Sequence, residues 1–117
     1  MKNTILDVIV VSAKNAKEKP EWLSNTLKAV EDATQYVNKD LDDAAKLTAD
    51  DLKVSAQEIK DMYPTVHLYT LTDNHEGMKD GGWLYSTMDD VVKFYNSIGI
   101  IKKPFDVKQL VSKDFLW

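Results

Sequence analysis

Ile5-Leu6-Asp7-Val8-Ile9-Val10-Val11 is the stretch on which the fold turns. Only Asp7 interrupts a run that is otherwise apolar and mostly β-branched. Runs of this kind are strands covered on both faces, at central positions of α/β sheets. Residues 5–11 therefore read as one central strand. Such a strand needs partners on both edges and layers on both faces, because its main-chain N–H and C=O groups must all be paired. The chain offers one candidate neighbour, Val66-His67-Leu68-Tyr69-Thr70-Leu71, whose alternation reads as a short, weak strand over 66–71. The rest of the sheet is expected from outside these residues, either from further polypeptide or from another copy.

Around that run the pattern is helical. Met1 to Thr4 reads as an edge of the chain, and Ser12 to Lys19 as a polar connection. Pro20 to Val37, PEWLSNTLKAVEDATQYV, is an amphipathic helix. Proline suits its first turn and Glu21 the positive end of its dipole. Leu23, Leu27, Val30 and Val37 make one apolar stripe; Trp22, Thr26, Ala29, Ala33 and Tyr36 make a second beside it. Glu31, Asp32 and Gln35 belong to the polar side. Asp40 caps a second helix, with Asp42 and Asp43 in its first turn. Asp50 and Asp51 are unfavourable at its negative end, so it is expected to stop by Ala49. Ser55-Ala-Gln-Glu58 matches a capping box and opens a third helix, Ala56 to about Met62, ended by Tyr63-Pro64. Thr72 to Gly82 reads as a loop. Leu84, Met88, Val91, Tyr95 and Ile98 mark a further helix closed by Gly99. Asp106 caps a last short helix, Val107 to Val111.

The totals narrow the class. The chain has 117 residues and a formal net charge of −4, enough for a single partial domain spanning 1–117. All its basic residues are lysines, which argues against nucleic-acid binding and removes the bidentate clamp arginine gives to anions. Without cysteine there is no disulfide, thiol nucleophile or thiolate metal site. No apolar run approaches membrane-spanning length, so membrane insertion is not expected, and these residues contain no export signal.

The order of motifs resembles the C-terminal portion of substrate-binding proteins of ABC importers, in the nitrate, taurine, aliphatic-sulfonate and thiamine-precursor branch. The likeness is carried by Val10-Val11-Ser12 leading into Lys19-Pro20-Glu21-Trp22-Leu23, then Leu27-Lys28-Ala29, Ala33-Thr34 and Tyr36-Val37-Asn38. Lys39-Asp40-Leu41-Asp42-Asp43-Ala44-Ala45-Lys46 stands where the family has N-P-D-E-A-A-K. Asp90-Val91-Val92-Lys93-Phe94 through Gly99-Ile100-Ile101-Lys102-Lys103-Pro104-Phe105-Asp106-Val107 completes it. The resemblance implies a type II periplasmic-binding-protein α/β fold, of which this chain would be part of lobe one. Ile5–Val11 would be the returning crossover strand. It further implies a small anionic or heterocyclic solute, a membrane permease as partner, and a periplasmic or extracellular location.

Candidate site residues are few. Ser12 follows the expected crossover strand, where the family cleft would lie, and strand ends face crevices. Trp83, after Gly81-Gly82, could stack on a ligand or act as a lid; core packing is the default. These two are the ligand-binding candidates. Asp73-Asn74-His75-Glu76 is the one dense set of metal-type donors, but neighbours on one loop rarely converge on an ion without a third segment. No carboxylate or serine stands at a telling spacing from His67 or His75. Gly77-Met-Lys-Asp-Gly-Gly82 lacks the spacing of a phosphate loop. No catalytic residue, metal or cofactor is expected. Three functions remain: a solute-binding module, a small helical interaction module that self-associates or exchanges strands through its unfinished sheet, and an enzyme remnant resembling thiamine-pyrimidine synthases.

Overall fold

The computed structural model describes residues 5–117; the chain edge read over Met1–Thr4 lies outside them. Six α-helices follow in order: α1 (Ala13–Glu18), α2 (Pro20–Lys39), α3 (Leu41–Leu52), α4 (Ala56–Met62), α5 (Leu71–Met78) and α6 (Trp83–Ser97). Single 3₁₀ turns occupy Tyr63–Thr65 and Val107–Leu110. Among the described residues there is no strand.

This overturns the α/β expectation. The central strand expected over 5–11 is an irregular segment, with a bend at Ile5, that pairs with nothing in a ladder. Ile5 is 92% exposed, Val8 66% and Val10 85%. The weak strand over 66–71 is likewise irregular as far as Thr70, extended at Val66, and Leu71 already begins α5. The physical reason is the shortage of edges. Two short extended segments supply too few partners for a buried sheet, and strand geometry without a ladder leaves main-chain groups to water. The described chain is all-helical.

Its contacts divide it into two compact units. A central unit comprises Glu21–Leu71; a terminal unit comprises the residues up to Pro20 together with Thr72–Trp117.

In the central unit, α2 begins at Pro20 as its sequence requires and runs to Lys39. Its buried residues are Leu23 and Thr34. The second apolar stripe stays largely open, with Trp22 58% and Tyr36 42% exposed. Asp40 caps α3 by accepting the Asp43 N–H at 3.0 Å. Ala44 and Ala45 are both buried. Their short side chains let α3 lie against α4, which is its packing partner. The helix runs past Ala49 to Leu52 despite Asp50 and Asp51. A left-handed Lys53, φ 57°, ends it and turns its N–H back to the Ala49 carbonyl. That closure satisfies a carbonyl which an earlier stop would leave open. The α4 capping box is formed in both directions. The Glu58 N–H donates to Ser55 Oγ at 3.2 Å, and the Ser55 N–H donates to Glu58 Oε2 at 2.8 Å.

In the terminal unit, Tyr85 and Val92 of α6 pack with Val107, against which Met88, Ile101 and Val111 close. Val107 is 2% exposed; burying a side chain of that size stabilises by roughly 2 kcal/mol. Asp106 caps the 3₁₀ turn by accepting the Lys108 N–H at 3.0 Å. Gly99, at φ +79°, ends α6 where a side chain would be strained.

Candidate functional site

The two expected ligand contacts take the following places. Ser12 caps α1, its hydroxyl accepting the Asn15 N–H at 3.1 Å. It belongs to a helix start, whereas the expectation put it at the end of a strand. Trp83 is the first residue of α6 and half-buried. A Cβ built on Gly77 would fall 2.8 Å from its indole ring, so the ring lies directly on the Gly77 main chain. The turn between α5 and α6 is tight in the same way. The Gly82 N–H donates to the Lys79 carbonyl at 2.7 Å, and a Cβ on Gly82 would meet the Gly77 carbonyl oxygen at 2.2 Å. Glycine is required there by close approach of main chain to main chain. Trp83 is thereby fixed by packing against α5, and Ser12 and Trp83 serve different helix ends.

One surface cavity of about 210 Å³ lies in the terminal unit, lined by His75, Met78, Lys79, Lys113 and Leu116. Its cations are engaged. Lys79 pairs with Glu76. Lys113 stands 3.5 Å from Asp80 and 5.9 Å from the centre of the Tyr85 ring. The main-chain oxygen of Trp117 accepts from His75 Nε2 at 3.0 Å. A carbonyl can only accept, so Nε2 carries the hydrogen. The cavity thus has Met78 and Leu116 as apolar lining, and its two lysines are each paired with a carboxylate. Asp73-Asn74-His75-Glu76 lies on α5, and among the described residues no three acidic or imidazole groups gather as a metal site.

The central unit carries a second polar arrangement. Asp42 forms an ion pair with Lys60 at 2.7 Å, tying α3 to α4. That hydrogen bond, more than the Coulombic attraction, holds the Asp42 carboxyl below its ordinary range. The Ser55 N–H does the same for Glu58, helped by the Ser55 hydroxyl. Tyr36 donates its hydroxyl proton to Asp43, which pushes the phenol upward, with burial and the Asp43 charge adding to it. Tyr63 donates to Asn38. Glu31 is the residue the sequence leaves unnoticed. Its Oε1 accepts from Gln35 Nε2 at 2.7 Å, and its Oε2 accepts the Leu71 N–H at 2.7 Å. The capping carboxylate stands forty positions from the helix it caps, and no local pattern signals that.

Comparison of the chain with protein-family models, with curated proteins and with solved structures gives no match. No helix of the described residues is long and apolar enough to cross a membrane.

Proposed function

We propose that this chain is part of the solute-binding component of an ABC importer, acting outside the cytoplasm on a small anionic or heterocyclic solute such as a sulfonate, nitrate or thiamine precursor. Its role is to bind and present, with no covalent step, and its macromolecular partner is the importer's permease. The observation that carries the reading is the order of helices. The PEWL segment opens α2, the Asp40 cap and Ala44-Ala45 pair build α3, the Ser55–Glu58 box opens α4, and Gly99-Ile-Ile closes α6. All of these but the Ser55–Glu58 box are segments whose residues carry the sequence resemblance. Calorimetric titration with an aliphatic sulfonate, nitrate and a thiamine pyrimidine tests it. Saturable heat with one of them and none with the others is the expected result; no heat with any rejects the solute role.

A second reading is favoured by the exposure of Ile5, Val8 and Val10. An apolar patch open to water marks a surface that another polypeptide covers. A helical interaction module that pairs with its own copy fits that observation. Light scattering across a concentration series separates the two, since self-association alone raises the mass without any solute.

A further inference from the structure

We propose that the cavity of the terminal unit binds a small amphipathic monoanion, a short-chain aliphatic carboxylate or sulfonate, with Lys79 and Lys113 on its head and Met78 and Leu116 on its chain. Two segments distant in sequence build the site. His75, Met78 and Lys79 stand at i, i+3 and i+4 and so share one helical face. Lys79 lies just past the end of α5 but keeps its turn, its N–H donating to the His75 carbonyl at 3.1 Å. Lys113 and Leu116 come from the last segment, which the Leu116 N–H turns back on the Lys113 carbonyl at 3.1 Å. His75 fastens the two walls together, its Nε2 donating to the Trp117 main-chain oxygen at 3.0 Å. The Lys113 ammonium is steadied over the Tyr85 ring, 5.9 Å from its centre, and the Tyr85 hydroxyl donates to the Met78 carbonyl at 3.2 Å. The walls are therefore held before any ligand arrives, which lowers the entropy lost on binding.

Charge and size select the ligand. Among the described residues the lining contains both lysines and no carboxylate side chain; Glu76 and Asp80, which pair with them, lie outside it. Those pairings are exchangeable. Glu76 and Lys79 are both more than half exposed, and the Asp80 side chain is 99% exposed. Ion pairs so open to water contribute little and are screened by salt. An ammonium has three donors, so each lysine can bond an incoming oxyanion while still facing its carboxylate. A cation would meet like charge there, and an alcohol would leave the charge unused. Met78 and Leu116 favour a ligand that brings hydrocarbon over a bare inorganic anion. The volume of about 210 Å³ falls below the roughly 300 Å³ at which sites for drug-sized ligands begin, so the chain must be short. The site stands whether or not the chain serves an importer, since its five lining residues all belong to the terminal unit.

Chemical-shift titration of the full chain tests this, with butanoate, hexanoate, hexanesulfonate, hexanol and nitrate as probes. Hexanoate and hexanesulfonate are expected to give saturable shifts at the amides of Met78, Lys79, Lys113 and Leu116. Hexanoate should bind about tenfold more tightly than butanoate, from two further methylenes buried in part. Hexanol and nitrate, each lacking one half of the ligand, should bind more weakly than either. Lys79→Gln and Lys113→Gln should each weaken hexanoate by about fivefold, the contribution of one exposed charge contact. Leu116→Ala acts on the chain end instead and narrows the gap between hexanoate and butanoate. No saturable shift with hexanoate overturns the proposal. So does equal affinity for hexanoate and hexanol, or unchanged affinity in both lysine variants. Sulfonate binding that persists in the double variant arises elsewhere; it overturns this site and leaves the importer role standing.

Discussion

Helices α4 and α5 are nearly the same length and are held at their starts by opposite means. The carboxylate that caps α4, Glu58, lies three residues into the helix it caps. The one that caps α5, Glu31, lies forty residues before it on another helix. A local cap forms as soon as its own turn forms, so α4 is written in seven or eight consecutive residues. A remote cap forms only after α2 is in place, so this contact at the start of α5 is a product of packing. The same contrast separates their far ends. Helix α4 passes into a 3₁₀ turn at Tyr63-Pro64. Helix α5 ends in a glycine turn beneath Trp83, where no side chain fits.

The largest break in this comparison is expected from Gly82→Ala. Its new methyl would press on the Gly77 carbonyl, a main-chain atom that cannot swing aside. A cost of about 3 kcal/mol follows, typical of severe overpacking. Urea melts read by near-ultraviolet circular dichroism check it; an unchanged midpoint would show that the α5–α6 turn relaxes freely. On the α4 side, Ser55→Ala removes the hydroxyl half of the box. It is expected to cost about 1 kcal/mol, the usual worth of an N-cap. Exchange protection lost at Glu58 and kept at Leu71 would show that the two caps are independent.

Acid sharpens the contrast further. The Asp42 and Glu58 carboxyls lie below their ordinary values of 3.8 and 4.5 in the folded chain. The unfolded chain therefore binds more protons in acid, and stability rises with pH across that range. The contribution is whole above the ordinary values and is lost as pH falls through the depressed ones. Replacing Glu58 by Gln should flatten the acid limb of the stability curve; an unaltered limb would remove Glu58 as a cause. The smallest effect is expected from Val8→Lys with Val10→Lys. Both positions are exposed, so the folded monomer should change by less than about 0.5 kcal/mol. A dimer that disappears in this variant at constant monomer stability would assign the run to self-association. A large loss of monomer stability would show that the run is covered within the chain.

These differences also explain what was legible. The starts of α2, α3 and α4 were legible because proline, Asp40 and the Ser55–Glu58 pair act within one turn. The end of α6 was legible because Gly99 takes a backbone conformation that side chains oppose. Helix α1 was not foreseen, since Ala13–Glu18 has no apolar stripe to announce it, although Ser12 is a sound cap. Helix α5 was not foreseen: Thr70-Leu71-Thr72-Asp73 fits a helix-start pattern, but residues 72–82 are rich in turn formers and carry no apolar stripe. The strand over 5–11 was foreseen and is absent. Composition identifies a segment that would suit a buried sheet, but a ladder requires neighbours, and composition cannot supply them. Of the two site residues chosen from sequence, Ser12 was placed by its position after that strand, and Trp83 by the glycines before it. Gly82 proved to serve the close approach of α5 and α6, and Gly81, at φ +75°, the left-handed step of the turn before it.

The sequence by itself determined the helices whose stop and start signals lie within a few residues, the absence of thiol and arginine chemistry, and the acidic balance of the chain. Only tertiary structure decided that Glu31 reaches the Leu71 N–H, that Trp83 rests on Gly77, and that Ile5, Val8, Ile9 and Val10 lie open. The physical reason is reach. A cap or a glycine acts over one turn of chain, whereas pairing, burial and remote capping depend on which distant segments arrive.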